Sequence, residues 1–148
     1  LYCGCGVFAL ALARDADPSR VVGFELSASS IADARANAER NGLAGVRFVA
    51  GDIALTLTPD ALALRELPRP EVCVVDPPRA GLHGRVLESL LVLAPARIVY
   101  VSCNPRSAVQ DLVTLCASGW RVERVQPVDL FPHTPHLECV FLLRREGP

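Results

Sequence analysis

Hydrophobic positions along this chain fall into short apolar runs separated by longer amphipathic stretches, the alternation of an α/β protein. Val21–Phe24, Val46–Ala50, Val72–Val75 and Ile98–Val101 are brief, rich in β-branched residues and bounded by polar or Gly/Pro positions, so each predicts a buried strand. Val7–Arg14 predicts a short helix that stops around Asp15 to Pro18. Ile31, Ala34 and Ala38 share one face of a helix opened by Ser29 and Ser30, with Ser30 and Asp33 at capping-box spacing and Asn41-Gly42 as the stop. An Ala/Leu-rich segment to Leu67 predicts helix with Pro59 in its first turn, followed by helices over Gly84–Leu93 and Ser107–Ala117. The tail changes character. Trp120–Val128 and Cys139–Arg144 are strand-like, with a Pro/His loop between them and no room for a helix, so they should pair antiparallel. The expectation is a doubly wound, Rossmann-like α/β sheet, mostly parallel, with a C-terminal antiparallel hairpin strand and no internal repeat or linker.

Composition narrows the class. The 148 residues suffice for one domain with a real core, 51% are apolar, and no apolar run approaches membrane-spanning length. There is no secretory h-region, and the six cysteines are irregularly placed, with Cys73 and Cys139 in strands. Such spacing speaks for reduced thiols in an intracellular, cytoplasm-like compartment, an organelle or the nucleus included. The chain lacks Met and opens in mid-element with Leu1-Tyr2-Cys3-Gly4, as an excised fragment would. On that expectation only Leu1-Tyr2 remain of a central first strand, and the piece should be incomplete or unstable alone. Every Lys/Arg position is Arg and the net charge is −1, so a grip on nucleic acid requires a local Arg cluster or help from elsewhere.

Candidate chemistry gathers at predicted strand ends. Cys103, in Val101-Ser102-Cys103-Asn104-Pro105, lies between an apolar strand and a helix whose first turn suits Pro105. That edge is where ligands bind in open α/β sheets, and a helix N-terminus favours a thiolate. A buried core cysteine is the commoner fate of an isolated Cys, but the Ser, Asn and Pro around Cys103 argue against it. Gly4-Cys5-Gly6 opens a helix after a strand end and allows close approach of backbone N–H groups to a ligand. A dinucleotide fingerprint would carry a third glycine where Ala9 stands, a tolerated replacement, so a nicotinamide-cofactor reading stays open. Glu25 ends the second strand, where an acid can accept from both ribose hydroxyls, and Asp52 follows the third, placed for an adenine amino group. Both could instead be plain helix caps. His133, His136, Glu138 and Cys139, with Cys3 and Cys5, also invite a metal reading, which their irregular spacing disfavours. Arg79 and Arg106 could bind phosphate or be solvated arginines.

The ordered set of Gly-x-Gly, Glu and Asp resembles the class I S-adenosylmethionine methyltransferases. Four stretches sharpen this: Leu1–Gly6, Asp76-Pro77-Pro78-Arg79-Ala80-Gly81-Leu82, Tyr100–Pro105, and Asp129–Glu138. Together they resemble the RNA 5-methyluridine methyltransferases, and the Gly81-Leu82-His83 and Phe131–His136 variants look most like the tRNA branch found in eukaryotes. The resemblance implies S-adenosyl-L-methionine as cofactor, an RNA substrate (tRNA ahead of rRNA), and neither membrane nor metal. It implies Cys103 as the nucleophile that adds to uracil C6 and Glu138 as the base that removes the C5 proton. Tyr2, Gly4, Gly6, Glu25, Asp52 and Asp76 would contact the cofactor. An unperturbed cysteine is only a few per cent thiolate at neutral pH, so roughly 2 kcal/mol of activation is at stake, and Asp76 should be engaged with something if it is not to oppose it. The family's RNA-binding or β-barrel domain, central domain and cofactor-contacting glutamine lie outside residues 1–148, and Val7 stands where relatives are often polar. Two rivals remain: amino-group methylation, against which Arg79 speaks by replacing the aromatic of Asn/Asp-Pro-Pro-aromatic, and a catalytically silent fragment.

Overall fold

Small residues dictate how the first part of the chain closes. In the computed structural model, which describes residues 1–147, this part spans Leu1–Thr56 and forms one of two compact units. It contains α1 (Val7–Arg14), a 3₁₀ turn at Pro18–Arg20, β1 (Val22–Glu25), α2 (Ala28–Arg40), β2 (Arg47–Ala50) and the single turn α3 (Ile53–Thr56). β1 and β2 pair in parallel from Val22↔Arg47 to Glu25↔Ala50. Ala9 and Ala13 of α1 pack with Ile31, Ala34 and Ala38 of α2 and with Val46 and Phe48. A Cβ on Gly23 would lie 2.8 Å from Phe48 Cδ1 and from Cys3 Sγ, so only glycine lets that ring and thiol lie against β1.

The second unit, from Leu57 onward, contains α4 (Pro59–Leu64), β3 (Val72–Val75), α5 (Gly84–Leu93), β4 (Arg97–Ser102), α6 (Pro105–Ala117), β5 (Trp120–Val128) and β6 (Glu138–Arg145). Its sheet has the order β3-β4-β6-β5. β3 and β4 are parallel, while β6 runs antiparallel to both β4 and β5, so β6 is the one reversed strand. This is the expected α/β pattern with its C-terminal hairpin. Alternate residues of β4 and β6 are buried, among them Ile98, Tyr100, Phe141 and Leu143. Each such fully buried apolar side chain contributes about 1.5–3 kcal/mol relative to exposure. α6 packs on β4 and β5 and buries Ala108, Leu112 and Leu115. Trp120 is fixed by its indole N–H, which donates to Pro95 O at 3.1 Å.

Three local expectations need correction. α2 starts at Ala28 with Ser27 as its cap, because Ser27 Oγ accepts from Ser30 N at 3.2 Å; Ser30 and Asp33 therefore lie inside the helix. The segment to Leu67 is two short helices, because Thr58 caps a new start at Pro59 by accepting from Ala61 N. The helix expected over Ser107–Ala117 starts two residues earlier, at Pro105, which sits in its first turn as expected.

Candidate active site

The Gly-x-Gly turn is built by backbone bonds and held by Glu25. Gly4 and Gly6 have φ of +51° and +93°, and Tyr2 shares the left-handed region at +58°. Gly6 N donates to Cys3 O at 2.8 Å, and Cys3 N donates to Phe24 O at 3.0 Å, which ties the turn to β1. The two glycines do different things. A Cβ on Gly6 would crowd Ala34 Cβ (3.2 Å) and Phe48 Cζ (3.3 Å), whereas one on Gly4 would meet nothing within 4 Å. Gly6 thus serves close packing, and Gly4 leaves the turn open to a ligand.

Glu25 accepts from Gly4 N through Oε2 (3.1 Å) and from Ser27 N through Oε1 (3.0 Å). An ionised carboxylate has about four acceptor sites, so this half-buried group keeps capacity for two further donors. Asp52 stands just before α3 and accepts from Ala54 N through Oδ1 at 2.9 Å. The cap reading therefore holds for Asp52, which is nevertheless exposed and orients its second oxygen without a protein bond among the described residues. Asn37, unflagged by any sequence pattern, donates from Nδ2 to Cys5 O at 3.1 Å and pins the turn to α2. Gly4, Glu25 and Asp52 together supply open backbone and oriented acceptors suited to a nucleoside.

In the second unit, strand register brings three candidates to one edge. β4 pairs with β6 through Ser102↔Cys139, so Cys103, the residue after β4, and Glu138, the first residue of β6, lie at the same end of the sheet. β3 pairs with β4 through Val75↔Tyr100, so Asp76 leaves β3 at the same edge. Cys139 is buried with Phe141 and Leu143, whereas Glu138 alternates onto the half-exposed face with Val140 and Leu142.

Two hydrogen bonds lock the loops that carry Asp76 and Cys103. Asn104 Nδ2 and Ser107 Oγ both donate to Arg79 O, at 3.0 and 2.8 Å. Asn104 therefore spends its side chain on the neighbouring loop and does not cap α6. Asp111, which reads in sequence as one more polar helix residue, is buried beneath this arrangement. Its Oδ2 accepts from Tyr100 Oη at 2.6 Å and from Leu82 N at 2.8 Å. The side chains of Arg79 and Arg106 point into an exposed environment.

Burial is the largest influence on the Asp76 carboxyl and pushes it above its usual range. All six cysteines are free thiols. Burial pushes Cys73 up to about 11, which makes it an inert core thiol, and Cys103 is half-buried at the sheet edge. His133, His136, Glu138 and Cys139 form no group able to hold a metal ion among the described residues. No helix is long and apolar enough to cross a membrane.

Comparison with known proteins fixes the lineage. Residues 1–146 match the model of the tRNA (Uracil-5-)-methyltransferase family. The chain belongs to this family. It is 46% identical over 146 residues to an RNA methyltransferase of Porphyromonas gingivalis, covering 98% of this chain and 30% of that protein. A Gloeobacter violaceus RNA methyltransferase is 46% identical over 144 residues, covering 97% of this chain and 29% of that protein. The chain thus spans under a third of the length of these relatives. The crystal structure of Pyrococcus abyssi tRNA (uracil-54, C5)-methyltransferase in complex with S-adenosyl-L-homocysteine superposes with a TM-score of 0.78 at 34% identity, covering 96% of this chain and 32% of that one. TrmN from Thermus thermophilus, at 20% identity and TM-score 0.72, shares the fold. These relatives are bacterial and archaeal and lend no support to a eukaryotic sub-branch. For a member of the uracil-5 methyltransferase family, the open Gly4 turn and the edge formed by Asp76, Cys103 and Glu138 are the features to explain.

Proposed function

We propose that residues 1–148 are the catalytic region of an S-adenosyl-L-methionine-dependent RNA methyltransferase that methylates uridine C5, with tRNA as substrate. The observation that supports this reading is the β4–β6 register: Ser102 pairs with Cys139, so the half-exposed Cys103 and Glu138 each lie next to a paired residue at the same end of the sheet. Uracil C5 is too weak a nucleophile to take a methyl group unaided. Cys103 thiolate adds to C6, and the C5=C6 electron pair moves toward C5 and O4 as an enolate. S-adenosyl-L-methionine, when bound, supplies the methyl group as an electrophile. Glu138 then takes the C5 proton, the C5=C6 bond re-forms, and the thiolate leaves C6. Thiol and carboxylate must face the same base, and a shared strand end is compatible with this.

Glu25 and Asp52 would hold the cofactor's ribose and adenine, with Tyr2, Gly4 and Gly6 forming the turn beside it. Asp76, half-buried at the same sheet end, would accept from the cofactor or the base. The Asn104 and Ser107 bonds to Arg79 O keep Cys103 and the Asp76 loop in fixed relation. The target nucleotide would be turned out of its stack to expose C6.

The test is incubation with S-adenosyl-L-methionine and tRNA bearing 5-fluorouridine, followed by denaturing mass spectrometry. Fluorine cannot leave as a cation, so Glu138 cannot complete the reaction, and a methylated protein–RNA adduct mapped to Cys103 is expected. Cys103→Ala should abolish it. Methyl transfer that survives Cys103→Ala would instead establish amino-group methylation, and cofactor binding without any transfer would establish a silent fragment.

A further inference from the structure

The register that gathers Cys103 and Glu138 at one end of the sheet gathers arginines at the other. Arg144 of β6 is the direct ladder partner of both Arg97 on β4 and Arg121 on β5. Directly opposed residues share a face, so three guanidinium side chains stand in one row across three adjacent strands. Like charges so placed repel. Among the described residues the only carboxylate paired with them is Glu123, which lies 4.0 Å from Arg121 and 3.8 Å from Arg144, the outer limit of an ion pair. Arg124 follows on the same face opposite Leu142, donating to Gln126 Oε1 at 3.2 Å. Arg124, Gln126, Val140 and Leu142 line a shallow cavity of about 290 Å³.

This face leads from the arginine row to the catalytic edge. Along β6 it carries Arg144, Leu142, Val140 and Glu138, a run of about 20 Å at about 3.4 Å per residue. That length matches about six nucleotides of a helical strand. A chain with a net charge of −1 attracts no polyanion as a whole, so four arginines facing one carboxylate are a local feature. We propose that Arg97, Arg121, Arg124 and Arg144 bind phosphates of the substrate RNA flanking the target uridine, with the backbone crossing the open face of β6 and β5. This rests on the RNA reading above. Charge complementarity selects RNA as the occupant, because phosphates relieve the repulsion that Glu123 only partly offsets. Arg145, stacked 5.3 Å from the Trp120 ring, is engaged separately.

The experiment measures tRNA affinity against salt for the wild type and for the Arg97→Gln/Arg121→Gln/Arg144→Gln variant, with S-adenosylhomocysteine binding as the check on folding. Each phosphate contact contributes about 0.7 to 0.9 to the slope of log K against log salt. The triple variant should therefore lose about 2 units of slope and bind at least tenfold more weakly at moderate salt. Its kcat at saturating RNA should be unchanged and its KM raised, and Arg→Lys at the same positions should restore the slope. Wild-type protein photo-crosslinked to 4-thiouridine RNA should yield adducts in peptides covering 121–126 and 140–144, a readout independent of how the variants fold. An unchanged slope in a variant that binds S-adenosylhomocysteine, or crosslinks confined to other peptides, would mean the row serves another partner, such as an acidic protein segment, and overturns this assignment alone. Absence of any RNA binding by the wild type overturns the RNA reading together with it.

Discussion

Removing the Tyr100 hydroxyl tests whether Asp111 fastens the loop that follows Asp76. Tyr100 is fully buried, and its hydroxyl donates to Asp111 Oδ2 at 2.6 Å, while Leu82 N donates to the same oxygen at 2.8 Å. A hydrogen bond to a carboxylate contributes about 1.5–3 kcal/mol, so Tyr100→Phe should cost about that much. Asp111→Ala removes the acceptor for both donors and should cost about 3–5 kcal/mol, or roughly 10 °C in Tm for a chain of this size. The double variant should cost little more than Asp111→Ala alone, because the hydroxyl has then already lost this partner. Urea denaturation of the four proteins gives the coupling free energy from Cm and m. A value of about 1.5–3 kcal/mol is expected. Coupling below about 0.5 kcal/mol, the range of independent sites, would show that Asp111 holds Leu82 without help from Tyr100 and would refute the shared-oxygen account.

Other outcomes follow from the same geometry. Gly81→Ala should destabilise the fold and reduce adduct formation at Cys103, because φ is +91° and the new Cβ would lie 2.8 Å from Asp111 Oδ2; thermal melts and the adduct assay read both effects. Glu25→Gln should weaken S-adenosylhomocysteine binding by about tenfold or more in calorimetry, since the single amide oxygen cannot accept from both Gly4 N and Ser27 N and the charge assistance of about 1.5–3 kcal/mol goes with the carboxylate. Burial raises the Asp76 pKa, so the folded state holds its proton to higher pH than the unfolded state does. Stability from this group is accordingly full below the ordinary value of 3.8 and is lost as pH rises through the raised folded value. The Tm advantage of Asp76→Asn over wild type should therefore grow across that window, and a flat difference would contradict the burial argument.

What could be read from sequence was set by local chemistry. The strands at Val72–Val75 and Trp120–Val128 follow from β-branched and apolar runs that have no other good use, and both match the structure. The α2 cap is ambiguous in the sequence because Ser27, Ser29 and Ser30 are all able to cap. The choice falls to Ser27 because Glu25 Oε1 holds the Ser27 N–H and fixes where the chain turns. Cys103 and Glu138 are visible as strand-edge residues, but their place at the same end of the sheet depends on a register defined between segments more than thirty residues apart. Asp111 left no signal at all. Its burial comes from Tyr100, 11 residues away, and from Leu82, 29 away, while its immediate neighbours resemble an ordinary amphipathic helix.

The position of β5 bears on how this protein behaves at high concentration. β5 ends the sheet, spans nine residues and is exposed over most of its length. A long strand with one open side is a template for a strand from another molecule. Here a register irregularity between Val122 and Arg124 breaks the regular ladder, Arg121, Glu123 and Arg124 charge the same stretch, and Pro127 withholds a donor near its end. An incoming strand would meet a kinked, charged rim with a gap in its donor row. The sequence that decorates this rim thereby keeps the molecule from growing sheet to sheet into aggregates.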